Sequence, residues 1–245
     1  MTEYDLLVNG FPVRAKYEEE TVTTVFVPLL TRLTELRRNT GKRVIAFLAA
    51  PPGAGKSTMA AALEQLSLQT PGVEPVRHVG VDGFHYTKAQ LLARTVRRGG
   101  VELPMKDVKG CPESYDVPKL RNAILALRVS DGLWPTYDRR IHDVMEDAVA
   151  VTGQVVLVEG NWLLLNEGQW ADVAGLCDYS IFLRADGEQL RDRLIERKRR
   201  GGLSTEEAEL FYERSDRPNI AQCLQGSGRA DLTLRLMADG SIVRD

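Results

Sequence analysis

Arg43-Val44-Ile45-Ala46-Phe47-Leu48-Ala49-Ala50-Pro51-Pro52-Gly53-Ala54-Gly55-Lys56-Ser57 is the stretch that decides the fold of this chain. Its uninterrupted apolar run, Val44 to Ala49, predicts a strand buried on both faces. A Pro/Gly turn and an alanine-rich helix from about Ser57 to Leu68 follow. The turn matches G-x-x-x-x-G-K-[ST] at every position but the first, where Ala50 replaces glycine. Leaving the strand, the chain must curl so that successive backbone N–H groups point inward at phosphate oxygens, and the helix behind adds its positive N-terminus. Gly53 and Gly55 permit that curl. Lys56 then reaches the terminal phosphates and the Ser57 hydroxyl ligates Mg²⁺. Pro52, Gly53, Ala54, Gly55, Lys56, Ser57 and Thr58 are the expected ATP-binding residues. An accidental glycine turn is the bland alternative, and the strand before and the helix after argue against it.

Working outward, Val76 to Val81 reads as a second short strand that delivers Asp82, and Gln154 to Val158 as a buried strand that delivers Glu159. Ligands of open α/β sheets collect outside the carboxyl ends of the strands. There Asp82 is placed to take the proton of an attacking hydroxyl, and Glu159 to hold Mg²⁺ together with Ser57. Further strands are expected at Tyr179 to Leu183 and Asp231 to Leu236, and helices at Thr23–Arg38, Lys119–Arg128, Gly187–Arg200 and Thr205–Leu224. Strands alternating with helices predict an α/β fold, a parallel sheet with helices on both faces. Asn9-Gly10 between two apolar-rich runs predicts an N-terminal β-hairpin. We therefore divide the chain into residues 1–40, a hairpin and helix appendage, and residues 41–245, the main domain, with a lid helix at about 187–202. Residues 86–118, rich in Gly and Pro, are expected to be a long loop with one short helix.

Between Tyr86 and Asp143 the residues Tyr115, Asp116, Tyr137, Asp138, Arg139, Arg140 and His142 cluster in sequence. That density of donors and acceptors suits a hydroxylated acceptor such as a sugar, polyol or nucleoside, and Arg139 or Arg140 can grip an anionic group on it. A solvated loop whose charges pair among themselves is the alternative. His85 either orients Asp82, touches the acceptor, or is an ordinary turn histidine. In the basic 187–200 helix, Arg193, Arg197 and Arg200 share a face, and about half of its charges are expected in salt bridges with Glu188, Asp192 and Glu196.

The motifs taken together resemble the phosphoribulokinase, uridine kinase and type I pantothenate kinase group of P-loop kinases. The resemblance runs from about Arg43 to Leu236. It is carried by the phosphate loop, Asp82-Gly83-Phe84-His85, Lys109-Gly110-Cys111-Pro112-Glu113-Ser114-Tyr115-Asp116, Tyr137-Asp138-Arg139 and Glu159-Gly160-Asn161. The subgroup it looks nearest to is that of bacterial proteins named as nucleoside/nucleotide kinases or putative fructose-transport-system kinases. The resemblance implies Asp82 as catalytic base, and Arg197 of the lid as the arginine that stabilises the transferring phosphoryl group. It also implies Asn219 as an acceptor-binding residue and His142 as substrate-facing. Against the pantothenate kinase pattern, Arg139 stands where a histidine is usual and Leu194 where a lid tyrosine is usual.

The chain has 245 residues, 32 Lys+Arg against 34 Asp+Glu, and a net charge of −2. That balance disfavours a coat for nucleic acid or an anionic membrane surface. No apolar run approaches the ~20 residues needed to span a bilayer, and the acidic start does not read as a signal peptide. Cys111, Cys177 and Cys223 are too few and too scattered for a disulfide framework or a zinc site, so packing roles in a reducing cytoplasm are expected. The expected function is ATP-dependent phosphoryl transfer to a hydroxyl of a small polar metabolite. A regulatory ATP-binding or hydrolysing module acting through a protein partner stays open beside it, and the hairpin edge is open to pairing with a second copy in a homodimer.

Overall fold

In the computed structural model, which describes residues 1–8, 10–138 and 141–245, the N-terminal segment forms the expected antiparallel hairpin, β1 (Thr2–Val8) and β2 (Phe11–Tyr17). Asn9 of the expected turn lies outside the described residues, and Gly10 adopts φ 81°. The first helix starts earlier than its apolar spacing suggests. α1 (Glu19–Thr21) passes through a π-helical turn, Val22–Phe26, into α2 (Val27–Thr40). Pro28 explains the π turn. Proline lacks an N–H and crowds the preceding turn, and a widened turn in which the Val27 N–H bonds back to the Val22 carbonyl relieves that crowding without breaking the helix.

The chain continues through β3 (Val44–Ala49), α3 (Lys56–Gln69) and β4 (Val76–Gly80). The second expected strand is one residue shorter than read, because Val81–Phe84 winds into a single 3₁₀ turn that carries Asp82. Residues 86–118 hold more order than expected: α4 (Lys88–Leu92) and a hairpin of β5 (Thr95–Arg98) and β6 (Val101–Pro104), turning at Gly99-Gly100. After α5 (Val117–Leu127) comes a second unforeseen hairpin, β7 (Gly132–Asp138) with β8 (Asp143–Val151). Then follow β9 (Val155–Gly160), α6 (Gly168–Ala174), β10 (Tyr179–Arg184) and α7 (Gly187–Arg200). α8 (Thr205–Phe211), a π turn at Tyr212–Asp216 and α9 (Arg217–Gly226) form the single helix expected there, and Pro218 stands just behind that π turn as Pro28 does behind the first. β11 (Leu232–Leu236) and β12 (Ile242–Arg244) close the fold.

The main sheet runs in the order β12-β11-β10-β3-β9-β4. All its pairings are parallel except that of β12, which returns antiparallel on β11 and makes the sheet mixed. β3 and β9 are buried along their whole length, as strands covered on both faces must be. Alternation splits β3 between two cores. Val44, Ala46 and Leu48 pack with the hairpin, α2, α3 and α7, while Ile45, Phe47 and Ala49 pack with α5 and the three tryptophans. Tyr4, Leu6, Ala15 and Tyr17 of the hairpin belong to the first core.

Strand order sets the geometry of the functional edge. β9 lies between β3 and β4, so the turn after β3, Glu159 on β9 and Asp82 after β4 emerge side by side. Leu48 and Gly80 flank Glu159 in register. Gly83 lies so close to β7 that a Cβ there would stand 2.2 Å from the Pro135 carbonyl oxygen. Gly83→Ala is therefore expected to lower stability by about 1–3 kcal/mol, measured by denaturant or thermal unfolding. A wild-type midpoint would show that β7 is not held at this distance.

Candidate active site

Between β3 and α3 the chain makes the curl its sequence demands. Gly53 and Gly55 take φ 85° and 89°, and the Ala54 N–H donates to the Pro51 carbonyl. Ala50 is fully buried without a positive φ, so glycine is not required at the first motif position. No side chain caps the N-terminus of α3. Its first N–H groups thus keep their donor capacity and the positive end of a 14-residue helix faces the turn. Those features fit an anion such as a phosphate chain.

Ser57 donates its hydroxyl to Oε1 of Glu159 at 2.8 Å, and Lys56 Nζ lies 3.7 Å from Oε2. Glu159 is only 5% exposed. Burial raises its carboxyl above the ordinary value, Asp82 adds to that effect, and Lys56 and Ser57 oppose it. A hydroxyl and a carboxylate in contact are hard oxygen donors of the kind Mg²⁺ takes.

Asp82 accepts a hydrogen bond from the Tyr115 hydroxyl, and the phenol is held well above its ordinary range by burial first and by Asp82 second. Two motifs far apart in sequence meet here. The Asp116 N–H donates to the Phe84 carbonyl at 2.8 Å, the Tyr86 N–H donates to the Ser114 carbonyl at 3.0 Å, and the His85 ring stacks on Tyr115 at 3.8 Å. His85 Nδ1 lies 3.2 Å from both the carbonyl and the hydroxyl of Ser114. Tyr137 sits edge-on to His85, with the Lys109 ammonium 3.6 Å over its ring. Asp116, read above as a potential acceptor contact, instead caps α5 by accepting from the Lys119 N–H.

Sequence reasoning missed what pins these segments. Each of the three tryptophans of the chain donates its indole N–H to a backbone carbonyl of a motif segment: Trp134 to Gly80, Trp162 to Gly110 and Trp170 to Pro112. A buried indole needs an acceptor, and the placement of Trp134 and Trp162 beside motifs was the available signal for two of the three.

Asp82, Ser57, Glu159, Tyr137 and Asp138 line one cavity of about 490 Å³, with β4, β7 and β8 as walls and the tip of the N-terminal hairpin at its mouth. No protein-family model matches the chain. It is 41% identical over 237 residues to the uncharacterized protein YggC of Escherichia coli, with 96% of each chain covered. It is 30% identical over 197 residues to a Schizosaccharomyces pombe protein named as a putative uridine kinase, covering 78% of this chain and 81% of that one. Among solved structures, one titled as a putative fructose transport system kinase from Silicibacter sp. superposes with a TM-score of 0.76 at 28% identity, covering 85% of this chain and 98% of that one. The chain belongs to the uridine kinase-like P-loop kinases.

The other expected site residues of this P-loop kinase fall in different places. Asn219 is buried on α9, where its Oδ1 accepts from Arg98 at 2.7 Å and its Nδ2 lies beside Gly110, so it is not part of the cavity wall. His142 is exposed at the β7–β8 turn with φ 54° and does not line the cavity. Arg139 and Arg140 lie outside the described residues. Arg197 is exposed on α7, within electrostatic reach of the buried Asp216 carboxyl. Leu194, one turn earlier on α7, packs on the phosphate-loop turn, and a Cβ on Gly53 would stand 3.0 Å from its Cγ. Arg191, Arg199 and Arg200 pair with Asp192, Glu209 and Glu196, as a salt-bridged helix requires. Cys111 and Cys223 are buried, with thiols pushed up to about 12, and Cys177 is half-buried at about 11, in keeping with packing roles. A second cavity of about 490 Å³ opens at the carboxyl ends of β10 and β11, lined by Arg184, Ala185, Asp186, Leu236, Met237 and Ala238. No helix among the described residues is long and apolar enough to cross a membrane.

Burial drives the His85 imidazole down from 6.5 to about 4, with Lys109 acting in the same direction and Asp82 against it. Between those values the unfolded chain binds a proton that the native state refuses, so stability is lost as pH falls from about 6.5 towards 4. The contribution is on the order of 3 kcal/mol. Thermal unfolding from pH 7 to pH 4.5 is expected to show a steeper decline for the wild type than for His85→Gln. Parallel curves would mean that His85 titrates normally in the fold.

Proposed function

We propose that this chain is an ATP-dependent kinase that transfers the γ-phosphoryl group to a hydroxyl of a small polar metabolite. The observation that carries the reading is the convergence of the phosphate-loop residue Ser57, the buried Glu159 and Asp82 on one cavity, with Lys56 beside Glu159. Family membership supports the reaction class.

In this reading the loop amides and Lys56 hold the β- and γ-phosphates, and Pro52 to Thr58 form the cradle. Ser57 and Glu159 would hold Mg²⁺, which when bound offsets charge on the phosphate oxygens. Asp82 accepts the proton of the acceptor hydroxyl as its oxygen forms a bond to the γ-phosphorus and the bond to the ADP oxygen breaks. The hydrogen bond from Tyr115 aims the Asp82 carboxylate and His85 stacks behind Tyr115, while Tyr137 and Asp138 face the acceptor. Arg197 meets the developing charge when α7 closes about Gly201-Gly202, a lid motion of a kind common in phosphoryl transfer.

β3 stands in the middle of the sheet, with one cavity on its β9–β4 side and the other on its β10–β11 side. In this reading the phosphate chain would lie at the turn after β3 with its γ-phosphoryl group toward Asp82, and the β10–β11 cavity would take the nucleoside. Asp82→Asn removes the base and leaves the phosphate cradle. It is expected to lower kcat by ~10²–10⁴-fold with ATP affinity little changed, read by acceptor-stimulated ADP release and by ATP titration. Turnover near wild type would remove Asp82 from the base role.

A further inference from the structure

The N-terminal hairpin carries more apolar surface than folding uses. Tyr4, Leu6 and Val8 alternate along β1, and Val8 pairs directly with Phe11 on β2. Tyr4 and Leu6 are buried in the core at 1% and 8% exposure. The same face then overshoots the core, and at its end Phe11 is 49% exposed. It ends at the mouth of the cavity that holds Asp82, where Val8 and Phe11 are joined by Leu7, 69% exposed on the other face. Across the mouth, β8 contributes Met145, 44% exposed, and the half-buried Val149. The cavity is thus two-zoned. Its polar lining is Asp82, Ser57, Glu159 and Asp138, with Arg77 and His78, and the exposed large side chains that line it, Leu7, Phe11 and Met145, form an apolar rim.

A sugar or simple polyol has no use for such a rim, because its hydroxyl groups would lose water there without gaining partners. We propose that the acceptor is an amphiphilic metabolite, with a hydroxyl head at Asp82 and an apolar or aromatic body that Leu7, Val8 and Phe11 cover, and that the hairpin is therefore a specificity element. This rests on the kinase reading above for the role of Asp82, but the two-zone binding stands independently of phosphoryl transfer. Residues of the hairpin are specificity-determining and take no part in the chemistry.

The test uses the full chain and two probes that share a head and differ in their apolar part, glycerol and 1-O-hexylglycerol. Met145 is one of five methionines, so its methyl resonance, assigned through Met145→Leu, reports occupancy of the rim without any turnover. The expected result is that hexylglycerol shifts this resonance at concentrations at least ~10-fold below those glycerol needs, as burial of several methylenes requires. A Leu7→Ser/Phe11→Ser double variant is expected to weaken hexylglycerol ~10-fold or more and to leave glycerol unchanged. Both positions are exposed, and a melting curve checks that the hairpin stays folded. Val149→Ser, on the opposite wall, gives a second variant with the same expectation.

Equal response to both probes, or undiminished hexylglycerol binding by a folded double variant and by Val149→Ser, overturns the proposal. Acceptor-stimulated ADP release, run across polyols, nucleosides and pantothenate, separates it from the kinase reading. A rim that binds hexylglycerol in a protein that phosphorylates no acceptor sinks the kinase reading and leaves the two-zone cavity standing. A kinase whose kcat/KM for every acceptor ignores the hairpin variants sinks the specificity role and leaves the kinase.

Discussion

A single buried carboxylate organises this molecule. Glu159 is almost fully enclosed at the end of β9, and an ionised group in that position survives only if it is paired and hydrogen-bonded. Its partners are the first two residues of α3, Lys56 and Ser57, so one side chain ties the central strand pair to the start of the helix that the phosphate loop feeds. The tie also dictates its surroundings. Gly80, its neighbour in register on β4, has no room for a side chain, because a Cβ would stand 2.8 Å from Oε1 of Glu159. Lys56 and Ser57 are thereby held in place before any ligand arrives, which is the pre-organisation that electrostatic catalysis depends on.

Outside that tie Asp82 and Tyr115 sit on segments with little regular structure of their own, and the rigidity of those segments comes from packing. Asp82 rides on a single 3₁₀ turn, and Tyr115 follows a short one, Pro112–Ser114. Such turns are inherently weak. Here they brace each other through the Phe84–Asp116 and Tyr86–Ser114 backbone bonds, while Trp134, Trp162 and Trp170 fasten them to the second core. The cost of burying three indole N–H groups is offset by the carbonyls that accept from them. The aromatic core on this face of the sheet therefore positions the site as well as stabilising the fold.

What could be read in the sequence follows from the same physics. β3, β9 and β10 were legible because both faces of a central parallel strand are apolar, and α3 because the motif before it demands a helix. The hairpins β5–β6 and β7–β8 were not. β5, β6 and β8 are largely solvent-facing, so no alternation marks them, and the better buried β7 carries Pro135 at an irregularity in its pairing. Asp82, Glu159 and Tyr115 could be found because each belongs to a spaced motif, yet nothing local told that Asp116 would spend its carboxylate on a helix cap. Asn219 was legible as a residue but not in its partners, since Arg98 reaches it from a hairpin 121 positions away. The apolar overshoot of the N-terminal hairpin was invisible for another reason. Phe11 looks like the rest of its stripe in sequence, yet the core that takes Tyr4 and Leu6, and Val8 in part, stops short of it.

The net charge of −2 is the sum of unlike regions. Arg197 to Arg200 gather four cations in the last turn of α7, where they also suit the negative end of the helix. Glu196 neutralises two of them, and Lys198 lies over the Phe211 ring. Lys198 and, less strongly, Arg197 also act on the buried Asp216 carboxyl, which burial makes reluctant to ionise. Leu194 meanwhile packs α7 against Gly53 of the phosphate loop, so the helix that carries Arg197 and the turn that precedes Lys56 share a buried contact. In the proposed kinase that contact couples the position of α7, and with it Arg197, to the loop that would hold the phosphates.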